Sequence, residues 1–165
     1  MKTLQIRNAD EKDFLSVYNF VSRCKPLESY SEHFYKIMLR YFGNSCFVAE
    51  FNEEIVGFVM GFRSQVDDEK FFLWQIGVFS YHRGKEVGKM LLDEFEKAGK
   101  NLSCKRVEVT VDPENIPSQK LFEKNGYLNI SSREGDVVEV LGITAVKDYY
   151  KPGRHFILYE KKIKN

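Results

Sequence analysis

The sequence lacks a disulfide framework. Its three cysteines, Cys24, Cys46 and Cys104, are odd in number and none stands in a C-x-x-C pair. They read as reduced thiols of a cytoplasmic protein, which excludes a small stapled scaffold and a cysteine zinc site. The three histidines, His33, His82 and His155, are isolated and lack metal-ligand spacing, so no metal is expected. No apolar run approaches the ~20 residues that span a bilayer. The opening "MKTLQIRNADEKD" lacks the apolar core of a secretory signal, and no membrane partner is expected. Neither sign of charge dominates: 25 Lys and Arg stand against 24 Asp and Glu. The basic residues are scattered among acids rather than gathered on one stripe, so no nucleic-acid partner is expected either. Internal repeats, low-complexity tracts and linkers are also missing.

What is present is the material of one domain, spanning residues 1–165. "TLQIR" alternates and predicts a short strand. Phe14, Val17, Tyr18 and Val21 follow at helical spacing, and Pro26 ends that helix. A second helix carries Phe34, Ile37, Met38 and Tyr41 on one face and takes its cap from Ser29 or Ser31. "SCFVAEF" and "IVGFVMGFR", joined by "NEE", predict a hairpin. "FFLWQIGVF" is a further strand, and the helix after it buries Val87, Met90, Leu91, Phe95 and Ala98. "KRVEVTV" places Val107, Val109 and Val111 on one face. A short helix with Leu121 and Phe122 inside stops at Asn125-Gly126, and "YLNISS" and "HFILYEKKI" supply late strands across a less regular segment. The order β-α-α-β-β-β-α-β-α-β-β describes an α/β domain with a mixed sheet.

The chemistry gathers at "YHRGKEVGKML", between the strand ending at Phe79 and the helix that follows. A helix N-terminus presents unpaired N–H groups and the positive end of its dipole. Glycines let the backbone curl so that several N–H groups meet one anion. Arg83, Lys85 and Lys89 add charge, and a phosphate cradle results. An ordinary strand-to-helix turn with solvated lysines has the same composition. Neither G-x-G-x-x-G nor G-x-x-x-x-G-K-[ST] is present.

A second element follows one strand later, in "ENIPSQKLFEKNGY". Strand–R-G-x-x-x-G–helix followed by N-x-x-S-x-x-L-F-x-K-x-G-Y resembles the GNAT family of acetyl-coenzyme A-dependent N-acetyltransferases, most closely from Phe71 to Tyr127. "KDYYKPGRHFILYEK" is similar to a common ending of that family. The resemblance implies an α/β fold with a central mixed, mostly antiparallel sheet, a splayed strand pair and flanking helices. It implies acetyl-coenzyme A as cosubstrate, with its pyrophosphate on Arg83, Gly84, Lys85, Val87, Gly88 and Lys89. Its pantetheine arm would run along Ile76, Gly77 and Val78, and the Val78 N–H would face the thioester oxygen. Asn115, Ser118, Phe122 and Lys124 would line the same side. Glu86 departs from the pattern, since the family usually has Gly there.

For the proton work, Glu108 alternates away from the valine face and is a candidate base; a strand Glu in a surface ion pair fits as well. Many relatives place a Tyr where this chain has Phe122, so Tyr150 or Tyr149 is the candidate acid or pocket wall, against a reading as core aromatics. "CKPLESYSEHFY" and "WQ" resemble blocks of the diaminobutyrate acetyltransferases of ectoine synthesis, which carry P-L-D-x-N-S-x-Y-x-Y and W-Q. Leu27, Ser31, Tyr35, Trp74 and Gln75 match, whereas Glu28, Tyr30 and His33 differ. The implied acceptor is a small primary or amino-acid-like amine bound by Glu28, Ser31, His33, Tyr35, Trp74 and Tyr149. The chain is expected as a monomer or homodimer. A protein N-terminal or lysine acetyltransferase, and a catalytically weak acetyl-coenzyme A-binding regulatory module, are the alternatives.

Overall fold

The computed structural model describes residues 3–164. Strand β1 (Leu4–Asn8) leads through a short turn into α1 (Phe14–Arg23) and then α2 (Glu32–Phe42). The Ser31 hydroxyl starts α2 by accepting from the Phe34 N–H at 3.2 Å, the second of the two serines the sequence offered. Hairpin strands β2 (Cys46–Phe51) and β3 (Glu54–Arg63) lead to β4 (Lys70–Val78). Helix α3 (Val87–Asn101), strand β5 (Arg106–Val111) and helix α4 (Ile116–Lys124) follow. The chain finishes with β6 (Leu128–Asn129), β7 (Val137–Val140), β8 (Ile143–Lys151) and β9 (Arg154–Lys162).

The strands form one mixed sheet in the order β1-β2-β3-β4-β5-β9-β8-β7, with β6 beside β9. Neighbours are antiparallel except β4 and β5. That parallel pair holds only from Lys70–Leu73 against Arg106–Val109, so among the described residues the upper half of β4 has no partner on that side. Helices cover both faces. Val107, Val109 and Val111 turn toward α3 and α4 in a core that also holds Leu91, Phe95 and Phe122. Within it Phe71 stacks on Phe95 at 4.2 Å. On the other face Val17, Phe20 and Val21 of α1 and Tyr35, Met38 and Leu39 of α2 pack on Val48, Phe58 and Met60.

Three expectations are corrected. The buried stripe of α2 is Tyr35, Met38 and Leu39, while Ile37 and Tyr41 are exposed. The stripe is rotated by one residue because the Tyr35 hydroxyl finds a buried partner in Gln75 at 3.0 Å, which lets the longer polar-tipped ring go deepest. Met90 is exposed and Leu92 takes its place in the core. The segment read as less regular contains β7 and β8, paired from Val137 opposite Val146. They turn through Leu141 (φ 52°) and Gly142 (φ +79°), a two-residue hairpin loop with both residues left-handed. In contrast, "YLNISS" contributes a strand of only two residues.

Candidate active site

The site begins as a defect in the sheet. Met60 lies opposite Gln75 and Gly61 opposite Leu73, so Trp74 is one residue too many on β4. Such a bulge bends the strand and re-aims its side chains. Leu73 points to the α3 core; after the bulge Trp74 and Gln75 both face α1 and α2, and Ile76 and Val78 return to the α3 side. The Phe79 N–H donates to the Val56 carbonyl at 3.0 Å, toward β3. Backbone alternation therefore aims the N–H groups of Ile76 and Val78 at the opposite edge, the one β5 has left. Gly77 sits between them because nothing larger fits. A Cβ there would stand 2.4 Å from Leu27 Cδ1 and 3.1 Å from Cys24 Sγ.

A cavity of about 420 Å³ opens on this edge. Its walls come from Cys24, Pro26 and Leu27 after α1, from the end of β4, from the turn and first residues of α3, and from one side of α4 along its length, Pro117 to Asn125. Four cations line it, Arg83, Lys89, Lys120 and Lys124, against the single carboxylate of Glu86. The α3 N-terminus has no side-chain cap, so the first-turn N–H groups of Val87, Gly88 and Lys89 remain for a ligand. Gly88 permits the close approach of α4: a Cβ would lie 3.3 Å from Leu121 Cδ1. Arg83 ties the walls together, donating from Nε to the Val78 carbonyl at 3.0 Å and from Nη2 to the Lys25 carbonyl at 3.1 Å.

Glu86 is the N-cap residue of α3 and is left-handed, with φ 61° and ψ 11°. That backbone position favours glycine, and a side chain there costs about 1–2 kcal/mol. The departure noted in the sequence therefore falls where the backbone is least tolerant of a side chain. The carboxylate is exposed and lines the cavity.

The other face of the opening is aromatic. Trp74 is 42 % exposed, and Tyr30, Phe34 and Phe72 surround it with ring centroids 6.0–6.2 Å away. Tyr35 is fully buried and burial pushes its hydroxyl up to about 12. Its partner Gln75 is also buried and donates from Nε2 to the Glu28 carbonyl at 2.7 Å, which fastens the loop after α1 over the splay. The Tyr30 hydroxyl donates to Glu28 Oε2 at 3.4 Å. From the far side, β8 and β9 bring Tyr149, Tyr150 and Arg154, with Arg154 Nε donating to the Tyr150 hydroxyl at 3.1 Å.

Of the thirteen residues assigned to the cofactor, eleven line the cavity. Lys85 and Phe122 do not. Lys85 sits 4.8 Å over the Tyr81 ring, beside a separate hollow of about 300 Å³. Phe122 is 1 % exposed and packs against Tyr127 and Tyr159. The Asn115 side chain caps α4, accepting from the Ser118 N–H at 3.2 Å. Among the acceptor residues, Glu28 and Trp74 reach the aromatic mouth, and Tyr149 packs on Phe156 within range of the Glu108 and Glu134 charges; Ser31 is a helix cap, Tyr35 acts through Gln75, and His33 is an exposed residue of the first turn of α2. Glu108 does not line this cofactor cavity, although it stands on the face of Phe72 and its charge acts on Tyr149. It lies level with Phe72 on the paired half of β4 and β5, with Oε1 3.0 Å from Lys70 Nζ. Sequence reasoning missed Cys24, Pro26, Lys120 and Leu121 as walls and Arg154 at the mouth. Pro26 in the matched P-L block, Lys120 and Leu121 in the α4 motif and Arg154 in the matched ending all carried a signal in the sequence.

Comparison with known proteins adds a family and a fold. Residues 14–127 match the pattern of the Acetyltransferase (GNAT) family. An L-2,4-diaminobutyric acid acetyltransferase of Halalkalibacterium halodurans is 36% identical over 122 residues, covering 74% of this chain and 64% of that protein. The protein of the same name from Chromohalobacter salexigens is 32% identical over 124 residues, covering 74% of this chain and 65% of that protein. This chain thus spans slightly less than two thirds of the length of these curated relatives. Among solved structures, diaminobutyrate acetyltransferase EctA from Paenibacillus lautus, in complex with its substrate and coenzyme A, superposes with a TM-score of 0.76 at 24% identity. The match covers 100% of this chain and 98% of that one. Ard1 from Thermoplasma volcanium gives 0.78 at 18% identity, over 98% and 99%. At these identities the structural likenesses speak to the fold alone.

Proposed function

We propose that this chain, which belongs to the acetyltransferase (GNAT) family, transfers the acetyl group of acetyl-coenzyme A directly to the primary amine of a small, amino-acid-like acceptor. One observation carries the proposal: a cationic cavity runs from an uncapped helix N-terminus to two N–H groups freed by the strand splay. The residues fit the cosubstrate at each point. The first turn of α3 with Arg83, Lys89, Lys120 and Lys124 suits a pyrophosphate. The free edge of β4 suits an arm with amide groups, which can complete the ladder that β5 leaves open. Acetyl-coenzyme A supplies the activated thioester.

The chain's own groups divide the remaining work. The Val78 N–H donates to the thioester oxygen as negative charge develops there, an interaction worth about 3–4 kcal/mol in acyl transfer. Val87 and Leu27 exclude water at the same point. An alkyl amine is protonated by ~3 pH units at neutrality, so its neutral form costs about 4 kcal/mol to reach. Glu108 pairs with Lys70 and does not line the cofactor cavity, which favours solvent at the open mouth as the proton acceptor. Tyr150, whose hydroxyl accepts from Arg154 Nε, is the candidate to return a proton to the departing thiolate. Cys24 lines the cavity, but burial pushes its thiol up, the nearby Arg83 only partly offsetting this. A thiol kept protonated is a poor nucleophile, which favours direct transfer over an acyl-cysteine route.

The loop between α1 and α2 is fastened at two points, by Arg83 to the Lys25 carbonyl and by Gln75 to the Glu28 carbonyl. A fastened cover suits a metabolite better than a peptide, which needs an open trough. L-2,4-Diaminobutyric acid, the compound in the relatives' name, is the first acceptor to try. The test is free-thiol release from acetyl-coenzyme A across a panel of diamines, amino acids and peptide N-termini. Turnover confined to peptides, or binding of acetyl-coenzyme A with no turnover on any amine, would overturn the proposal.

A further inference from the structure

The first turn of α3 is the wall between two openings. The cofactor cavity lies on the side of α4 and the end of β4. The second opening lies on the side of β1 and β2, a hollow of about 300 Å³ lined by Leu4, Phe51, Tyr81, His82, Lys85 and Val87. Among the described residues Val87 alone belongs to both linings. The floor of the hollow is apolar because it is the margin of the α3 core. Val87 is buried in that core, and Leu4 and Phe51, opposite each other on β1 and β2, pack against it.

The rim is aromatic and basic. The short helical turn Ser80–His82 sets the His82 ring 5.4 Å from Phe51 and 5.4 Å from Tyr81, edge-on to the tyrosine. Tyr81 is 80 % exposed, and Lys85 carries its ammonium 4.8 Å over the Tyr81 ring. Among the described residues Lys85 has no acidic partner, and no side-chain hydrogen bond joins Tyr81 or His82 to another group. A cation–π contact open to water holds an ammonium only weakly, so this charge is free to turn to an anion.

An apolar floor, aromatic walls and a cation without a counter-charge together suit a flat ring that bears an acid group. The ring would lie on Phe51 and Val87 with Tyr81 and His82 at its edges. Its acid group would take the Lys85 ammonium in a charge-assisted hydrogen bond, with a His82 N–H as a second donor. The volume stands at the small end of ligand pockets, roughly 300–1,000 Å³, and admits one or two fused rings.

We propose that this hollow is a second ligand site, for a small planar aromatic acid, separate from the cofactor cavity. The site goes beyond acyl transfer and does not depend on it. Its occupant would rest on Val87, the residue whose other side faces the cosubstrate.

The test titrates indole-3-acetate into the protein, free and saturated with coenzyme A, and follows the Val87 methyl and Tyr81 ring resonances. Both titrations should shift these signals, with a dissociation constant of about 1 mM or tighter for a ligand of this size. Tryptamine, which keeps the ring and reverses the charge, should bind at least about tenfold more weakly, and so should cyclohexylacetate, which keeps the acid and loses the flat ring. Lys85→Gln and Tyr81→Ala should each weaken indole-3-acetate by about tenfold or more. Both side chains are exposed, and the melting temperature and acetyl-coenzyme A affinity of each variant should match wild type. Absence of shifts, binding that coenzyme A abolishes, or equal binding by wild type and both variants would overturn the proposal and leave acyl transfer standing. A loss of acetyl-coenzyme A affinity of about tenfold in both variants would overturn it too, by assigning the hollow to the adenine ring of the cosubstrate.

Discussion

Replacing Glu86 with glycine removes two things at once, a left-handed side-chain-bearing residue and a carboxylate on the cavity wall. Their magnitudes can be separated. Relief of the φ 61° conformation is worth about 1–2 kcal/mol in the folded state, and the greater freedom of glycine in the unfolded chain takes back roughly 0.4–1 kcal/mol. A carboxylate at a helix N-terminus stabilises the ligand-free helix by about 0.3–1 kcal/mol, and this is also lost. The three effects nearly cancel, so Glu86→Gly should change Tm by no more than about 3 °C. Cofactor affinity has no such cancellation. Glu86 is the one acid among four cations on the wall, and removing repulsion of ~0.3–1 kcal/mol tightens binding by two- to fivefold. Glu86→Gln keeps the strained backbone and removes only the charge, so it should show the same gain. Isothermal titration with acetyl-coenzyme A at low and high salt reads the effect, and the gain should shrink as salt screens it. Weaker binding by Glu86→Gln, or a gain that salt leaves untouched, would refute the electrostatic reasoning.

Gly88→Ala should leave stability nearly unchanged, because the helix-propensity gain of about 1 kcal/mol offsets the displacement of Leu121 from 3.3 Å; acetyl-coenzyme A affinity should still fall about tenfold by titration, since the methyl group narrows the seat between α3 and α4. Tyr35→Phe strips Gln75 of a buried partner, at about 1–3 kcal/mol of stability; steady-state kinetics should show KM for the amine rising severalfold with KM for acetyl-coenzyme A unmoved. Glu108→Gln should change kcat/KM by less than threefold across pH, because its carboxylate is committed to Lys70 outside the cavity; a ~10²-fold loss that fades at high pH would restore it as the base. Tyr150→Phe should lower kcat and spare acetyl-coenzyme A affinity, and raising the pH should not rescue it.

Much of this arrangement can be read from residue order, and the reasons differ element by element. Val107, Val109 and Val111 announce β5 and its buried face because alternation is a local property. Ser31 as a cap and Gly88 beside a charged turn are local signals too. Strands β7 and β8 escape notice because most of β8 after Val146 is exposed, so no alternation marks it, and because Leu141-Gly142 makes a left-handed turn without the usual Asn. The Trp74 bulge adds one residue to an apolar run, which leaves the composition of the run intact while reversing which side chains face the acceptor. Tyr35 goes deeper than Phe34 only because Gln75, forty positions later, accepts its hydroxyl. The matched ending marks Arg154, but its place comes from the register of β5 with β9, a long-range fact that no local pattern contains. The cofactor side of the site is built from one turn and one helix and was legible; the acceptor side is assembled from four separated segments and was only partly so.

The central claim is that the free edge of β4 and the first turn of α3 hold the cosubstrate. Amide hydrogen exchange, followed residue by residue with and without coenzyme A, tests it most directly. Among the described residues the N–H groups of Ile76 and Val78 have no partner strand and the first turn of α3 has no side-chain cap, so these amides should exchange readily in the free protein. Saturating coenzyme A should slow them by at least tenfold, while amides of the β7–β8 hairpin remain as they were. Unchanged exchange at Ile76, Val78 and Gly88 under saturation, with protection appearing elsewhere, would contradict the account.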